Sequence, residues 1–295
     1  MIKFHMRGRW LPGQVLLRET PSSYRSTPEV DALIESAWRD SKARLGDKLF
    51  DGPMCRFESV ECRTPNAQLQ HAARSSLDIR HSTLILSVSR TSYRIFVGTN
   101  MKHPELCDTL GPHVMANTVG VSTTLITADN FLMLGRRSDN VAYYPRMLHP
   151  FAGSLEPGES NVEGEAHVEG EAPAEPLVEP RHARDVSAGA SPSTRRLDLF
   201  DEAMRELNEE LGLTSADITE IACIGIVEDL RLRHPETILY ARTTKTKSQI
   251  ESNLLGHEHT AAWGCPLNAL GDALRDRTQF TPVAQAAIEL FIPFA

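Results

Sequence analysis

Residues 197–213 read LDLFDEAMRELNEELGL. Projected at about 100° per residue, Phe200, Ala203, Met204, Leu207 and Leu211 fall on one stripe. Glu202, Glu206, Glu209 and Glu210 fall on the other side, with Arg205 at its edge. Asp198 supplies an N-cap and Gly212 a C-terminal stop, so the spacing predicts an amphipathic helix. Carboxylates at i, i+3 and i+4 repel one another, and a helix gains nothing by gathering Glu206, Glu209 and Glu210. Taken alone, the helix favours a solvated acidic face. A hard divalent cation reverses the sign, because it needs several oxygen ligands and shares them with phosphates.

Working outward, no Phe, Tyr or Trp occurs between Phe151 and Phe200, and residues 160–197 are rich in Glu, Ala, Pro, Gly and Ser. A repeat, VEGEAH then VEGEAP, lies within (162–173). Such a segment has too little apolar surface to offset its ordering entropy and predicts a disordered acidic insertion. Before it, TVGVSTTLITADNFLMLGRRS (118–138) reads as a hairpin turning at 128–130. After the helix, 221–227 and 237–243 read as strands, and 266–276 and 281–291 as helices. This alternation predicts an α/β domain over 113–295. In the first 112 residues, strands at 14–19 and 56–61, a helix at 28–45 and one or two strands within 82–98 predict a small α+β domain.

Composition narrows the function classes. A net charge of −8 opposes an electrostatic grip on nucleic acid or an anionic membrane. Five scattered cysteines lack metal spacing and suit reduced thiols in a cytoplasmic protein. No run of apolar residues is long enough to span a bilayer.

The two sides of the acidic segment belong together. Gly153, five residues and Glu159 precede it, and RELNEELGL (205–213) follows it. This pattern resembles the box of the Nudix hydrolases: Gly, five residues, Glu, seven residues, then Arg-Glu-apolar-x-Glu-Glu-x-Gly-apolar. Here 45 residues separate Glu159 from Arg205 instead of seven, and the excess of 38 equals the segment 160–197. The resemblance implies a Nudix fold, a mixed sheet sandwiched between helices, preceded here by the α+β domain. It also implies metal-dependent hydrolysis of a nucleoside diphosphate linked to another group. By position, Glu206, Glu209 and Glu210 become ligands for Mg²⁺ or Mn²⁺, joined by a carbonyl near Ala152 or Gly153. Glu159 and Arg205 become the pair that holds the loop on the helix.

The family's proton acceptor often lies in a late loop. Glu258 in LLGHEHTAAWG occupies such a place, with His257 and His259 beside it, and Glu228 and Asp229 are its competitors. A second likeness runs through TSYRIFVGTN (91–100), RRSDNVAYYP (136–145) and the Glu258 loop. These stretches look like the Nudix hydrolases that split UDP-glucose and UDP-galactose into UMP and sugar 1-phosphate. It implies substrate roles for Tyr93, Arg94, Asn100 and Gly153, and phosphate contacts for Arg137 before Arg136, Arg231 and Arg233. Packing between domains is the stronger reading for Tyr93, turn formation for Asn100, and a solvent-facing place for Arg231 and Arg233. The alternatives are an ADP-ribose or dinucleotide pyrophosphatase and a nucleotide sensor without catalysis. Homodimers are common in the family, so the same analogy implies a possible homodimer.

Overall fold

The computed structural model describes residues 1–46, 49–64, 82–158, 197–255 and 258–295. Glu159, His257 and the expected 160–197 insertion, apart from Leu197, therefore lie outside the described residues.

The chain opens with β1 (Ile2–Trp10) and β2 (Val15–Glu19), followed by α1 (Pro28–Leu45). Thr27 caps α1 and Pro28 supplies its pre-set first turn. Next come β3 (Pro53–Arg63) and β4 (Thr83–Ser92). Of the stretch 82–98, expected to hold one or two strands, β4 takes residues through Ser92, and residues 93–98 are helical instead. Ser92 caps α2 (Tyr93–Phe96), which runs into a π-type turn over Val97–Met101. The aromatic and β-branched residues that suggested a strand face the interior from this helix, and Phe96 and Val97 are buried. A short α3 (Leu106–Thr109) follows.

The predicted hairpin forms as β5 (Gly120–Ile126) and β6 (Phe131–Arg137), with Leu125 opposite Met133 and Asn130 at positive φ in the turn. Beyond it lie β7 (Leu148–His149), β8 (Phe151–Ser154), α4 (Leu199–Leu211), β9 (Ile218–Asp229) and β10 (His234–Thr243). The chain finishes with α5 (Lys247–Asn253), β11 (His259–Pro266), α6 (Leu270–Ala273) and α7 (Pro282–Phe291). The helical stretch expected at 266–276 shrinks to a 3₁₀ turn and the single turn of α6, because Pro266 closes β11.

The larger sheet is mixed, in the order β1-β9-β10-β5-β6-β11, with β7 on β6 and β8 on β5. Its β10–β5 pair is parallel and the other pairs are antiparallel. One face packs Ile224, Ile238, Tyr240 and Leu134 against α7 through Ala284, Ile288 and Phe291. The other packs Leu125, Met133 and Ala241 against Leu207 and Leu211 of α4 and Ile250 of α5. Each such buried aliphatic side chain contributes about 2 kcal/mol. The mixed sheet thus lies between helices, as the α/β reading requires.

A smaller sheet, β2-β4-β3, carries α1 and α2 nearby in sequence. Its β3 is stitched to the segment before β5 by Phe57 N to Asn117 O and Val119 N to Cys55 O, 2.8 and 2.9 Å. Residues 2–10, expected with the first 112, form β1, which pairs instead with β9 of the larger sheet. Residues Met1–Pro157 and Asp198–Ala295 cluster as one compact unit.

Candidate active site

The charged face of α4 is solvated at Glu209 but not throughout. Asp198 accepts hydrogen bonds from Phe200 N and Asp201 N, Gly212 ends the helix at φ 65°, and Leu207 and Leu211 anchor its apolar stripe. This anchoring turns Glu202 and Glu206 inward as well, and both are buried. Arg205 reconciles them. Its guanidinium donates to Glu206 Oε1 at 2.5 Å, to both oxygens of Glu209 at 2.8 Å, and to Glu202. Arg205 was expected to pair with Glu159. Among the described residues its carboxylate partners are Glu202, Glu206 and Glu209.

Beside Arg205 stands β8. Gly153 is there because nothing larger fits: an added Cβ would lie 1.7 Å from Glu206 Oε1. Glu210 points along the same strand, where Ala152 N donates to its Oε1 at 3.4 Å, and His259 Nδ1 lies 2.9 Å from its Oε2. Burial pushes the Glu206 carboxyl up to about 8; Glu202, Glu210 and Glu209 add to this, while Arg205 pulls the other way. Burial thus disfavours the charged form of Glu206, and a further positive charge beside it would restore that form.

No three of the described carboxylate, imidazole or thiol groups converge as a ready-made metal cage. The donor chemistry still fits a hard divalent ion: anionic oxygens on consecutive turns, a glycine strand at van der Waals range and a guanidinium bridging the acids.

A cleft of about 980 Å³ opens at this point, and its lining includes Tyr93, Arg137, Gly153, Arg205, Glu206, Glu209 and Glu258. Glu210 stands behind the lining on His259. Glu258 precedes β11, and its carbonyl accepts from Ser138 N at 2.8 Å, which fixes the start of that strand against the end of β6. The residue is exposed and lines the cleft. The protein walls around it, and then the Glu210 carboxylate, raise its pKa, partly offset by Arg137.

The two competing acids lie elsewhere. Glu228 contacts Lys3 at 3.3 Å and His5 at 3.0 Å, and Asp229 accepts from Tyr144 Oη at 2.6 Å. Neither lines the cleft.

Arg137 is buried, donates through Nε to Tyr143 O at 3.2 Å and sits 4.8 Å over the Tyr143 ring. Tyr93 packs edge-on to Trp38 and tilted to Phe96 while also lining the cleft. The remaining candidates are taken up by the fold. Asn100 is fully buried and donates to Leu232 O and Arg233 O at 3.0 and 2.7 Å. Arg94 pairs with Glu35, Arg233 with Asp108, Arg136 with Arg146 O, and Arg231 stacks on Tyr144.

Phe96, Tyr143, His149, His234 and Glu236, none of them singled out from sequence, also line the cleft. His149 Nδ1 lies 2.8 Å from Thr281 Oγ1, and Glu236 accepts from Ser122 Oγ at 2.5 Å. They come from α2, the loop after β6, β7 and β10, so apart from the His234–Glu236 pair no local spacing announces them.

Curated relatives carry the comparison further. The uridine diphosphate glucose pyrophosphatase NUDT22 of Homo sapiens is 24% identical over 309 aligned residues, covering 96% of this chain and 89% of the relative. Its counterpart in Mus musculus is 28% identical over 153 residues, covering 49% of this chain and 45% of the relative. The chain resembles the Nudix hydrolases. The likeness is to enzymes that split pyrophosphates. No family model matches the chain. Among solved structures, a Nudix hydrolase of Nitrosomonas europaea aligns with TM-score 0.34 and 15% identity over 60% of this chain and 89% of that one. An Ap4A hydrolase of C. elegans aligns with TM-score 0.35 and 17% identity over 59% and 96%.

Proposed function

We propose that this hydrolase cleaves the diphosphate of a nucleoside diphosphate linked to a sugar, UDP-sugar before others, releasing UMP and sugar 1-phosphate. One observation carries the reading: a single cleft is lined by Glu206, Glu209, Glu258 and Arg205 and also by aromatic and imidazole rings. The charged set suits an anionic linkage, and the rings suit a planar base. The human relative, a uridine diphosphate glucose pyrophosphatase that aligns over 96% of this chain, supports the same substrate class.

Glu206, Glu209 and Glu210, with a carbonyl of Ala152 or Gly153, would hold Mg²⁺ or Mn²⁺. When bound, that ion supplies charge neutralisation on the diphosphate and acidifies a water. The protein does the rest. Arg137, fixed by Tyr143 O, holds a positive charge against the diphosphate from the β6 side. Glu258, open to the cleft and distinct from the α4 acids, takes the proton from the attacking water. Arg205 keeps the α4 carboxylates aligned, and His259 orients Glu210.

The test is turnover of UDP-glucose, UDP-galactose, ADP-ribose and a dinucleotide with Mg²⁺ and with EDTA, scored as released monophosphate. UDP-sugar cleavage that EDTA removes and Mg²⁺ restores is the expected result. Turnover of ADP-ribose alone would move the substrate class, and turnover of none would leave the sensor reading.

A further inference from the structure

His234 is buried, with only 4% of its side chain exposed, yet it lines the cleft. Neither ring nitrogen has an aligned hydrogen-bond partner among the described residues. A buried imidazole left this way costs free energy unless a ligand completes it. Its surroundings say which ligand. Nδ1 lies 3.3 Å from Glu236 Oε1. Gly120 leaves room for that carboxylate, since a Cβ there would meet Glu236 at 2.9 Å. Burial alone would raise the Glu236 pKa, but His234, His149 and Ser122 hold it down to about 2, so it is an anion at neutral pH. With Nδ1 facing this carboxylate, the neutral ring carries its one proton there, and Nε2 is its acceptor.

The ring neighbours select a flat partner. Phe96 and Tyr143 stand 5.1 and 6.4 Å from the His234 centroid, and Tyr93 stands 6.2 Å from Phe96. The register gives the span. Gly120 pairs with Ser154 of β8 on one side and Glu236 of β10 on the other. Two strand spacings, about 10 Å, therefore separate this end from the strand that abuts Glu206. A ribose bridges that distance between a diphosphate and its base.

We propose that His234, oriented by Glu236, accepts a hydrogen bond from the imide N–H of a uracil-type base and so sets base specificity. The assignment rests on the UDP-sugar reading above. Adenine's ring nitrogens are acceptors, and they would face Nε2 acceptor against acceptor.

Calorimetric titration of the full chain in Mg²⁺ with UMP and with 3-methyl-UMP, which lacks only the imide hydrogen, tests it. The wild type should bind UMP about ten-fold or more tighter than the methylated form. His234→Phe, which keeps the ring and loses the nitrogens, should bring the two within about two-fold of each other. A preference that survives in His234→Phe, or one absent from the wild type, would overturn the proposal. Should His234→Phe not fold, histidine-ring ¹⁵N spectra of the wild type decide: UMP should shift a ring nitrogen that 3-methyl-UMP leaves in place, and equal shifts would overturn it. Failure of the wild type to bind UMP at all would also overturn it. The turnover panel then tells whether the UDP-sugar reading falls with it.

Discussion

Gly153 and Glu206 occupy interlocking space: a Cβ on the glycine would come within 1.7 Å of Glu206 Oε1 and 2.1 Å of its carboxyl carbon. The strand and the helix carboxylate are therefore fitted to each other, and no rotation of an alanine methyl relieves the overlap. Gly153→Ala should push Glu206 out of place. A displacement of about 1 Å at a reacting centre costs on the order of 100-fold in rate. We expect kcat/KM to fall by about that factor, while circular dichroism shows a folded chain. Undiminished turnover would mean that Glu206 does not need its observed position.

Glu258→Gln keeps the side chain's size and removes its basicity. If Glu258 takes the proton, kcat should fall about 100-fold or more with KM little changed. Glu228→Gln and Asp229→Asn should leave kcat per folded molecule essentially unchanged, because both acids are engaged outside the cleft, with Lys3, His5 and Tyr144. Loss of kcat in either, with Glu258→Gln active, would transfer the role.

Much of this site is local and hence legible. The α4 carboxylates, the Asp198 cap and the Gly212 stop all follow from spacing within seventeen residues. Two kinds of feature escape that reading. The strand β1 does alternate, Ile2, Phe4, Met6 and Trp10 against Lys3, His5, Arg7 and Arg9, but its many charges make it look like a tail. Only pairing with β9 gives its apolar face a core. His234 and Glu236 are the harder case, because parallel pairing of β10 with β5 brings them to Gly120 and Ser122 across more than a hundred residues. The solvated-face reading of α4 holds at Glu209 and fails at Glu206 for a non-local reason: β8 packs against its carboxylate and buries it.

Arg205 supplies the countercharge for Glu202 and Glu206, whose side chains are 7% and 10% exposed. Arg205→Met keeps most of the packing and leaves those acids unpaired. A quarter of the Arg205 side chain is exposed, so the loss should be about 2 kcal/mol, below that for a fully buried pair. A divalent ion answering the same carboxylates should then raise Tm more in Arg205→Met than in the wild type. Equal Tm gains on adding Mg²⁺ would separate the ion from these acids.

Acid should weaken the fold through His149. The ring is buried against Thr281, and burial first, then the Arg137 charge, lowers its pKa from 6.5 to about 3. The folded chain therefore keeps His149 neutral while the unfolded chain takes up a proton below about pH 6.5. Its contribution is fully present above 6.5 and is lost as pH falls toward about 3. Each pH unit in that window should cost about 1.4 kcal/mol from this one group. Glu236, held down to about 2 from 4.5, adds a second loss only below about pH 4.5. Between about pH 7 and 5 the Glu236 window is not yet entered, while Glu206, raised to about 8, gains stability on acidification and opposes the histidine, so the difference between two proteins isolates His149. In urea denaturation across that interval His149→Gln should gain about 1.4 kcal/mol per pH unit relative to the wild type as pH falls. Parallel lines for the two proteins would show that His149 is not the group that titrates.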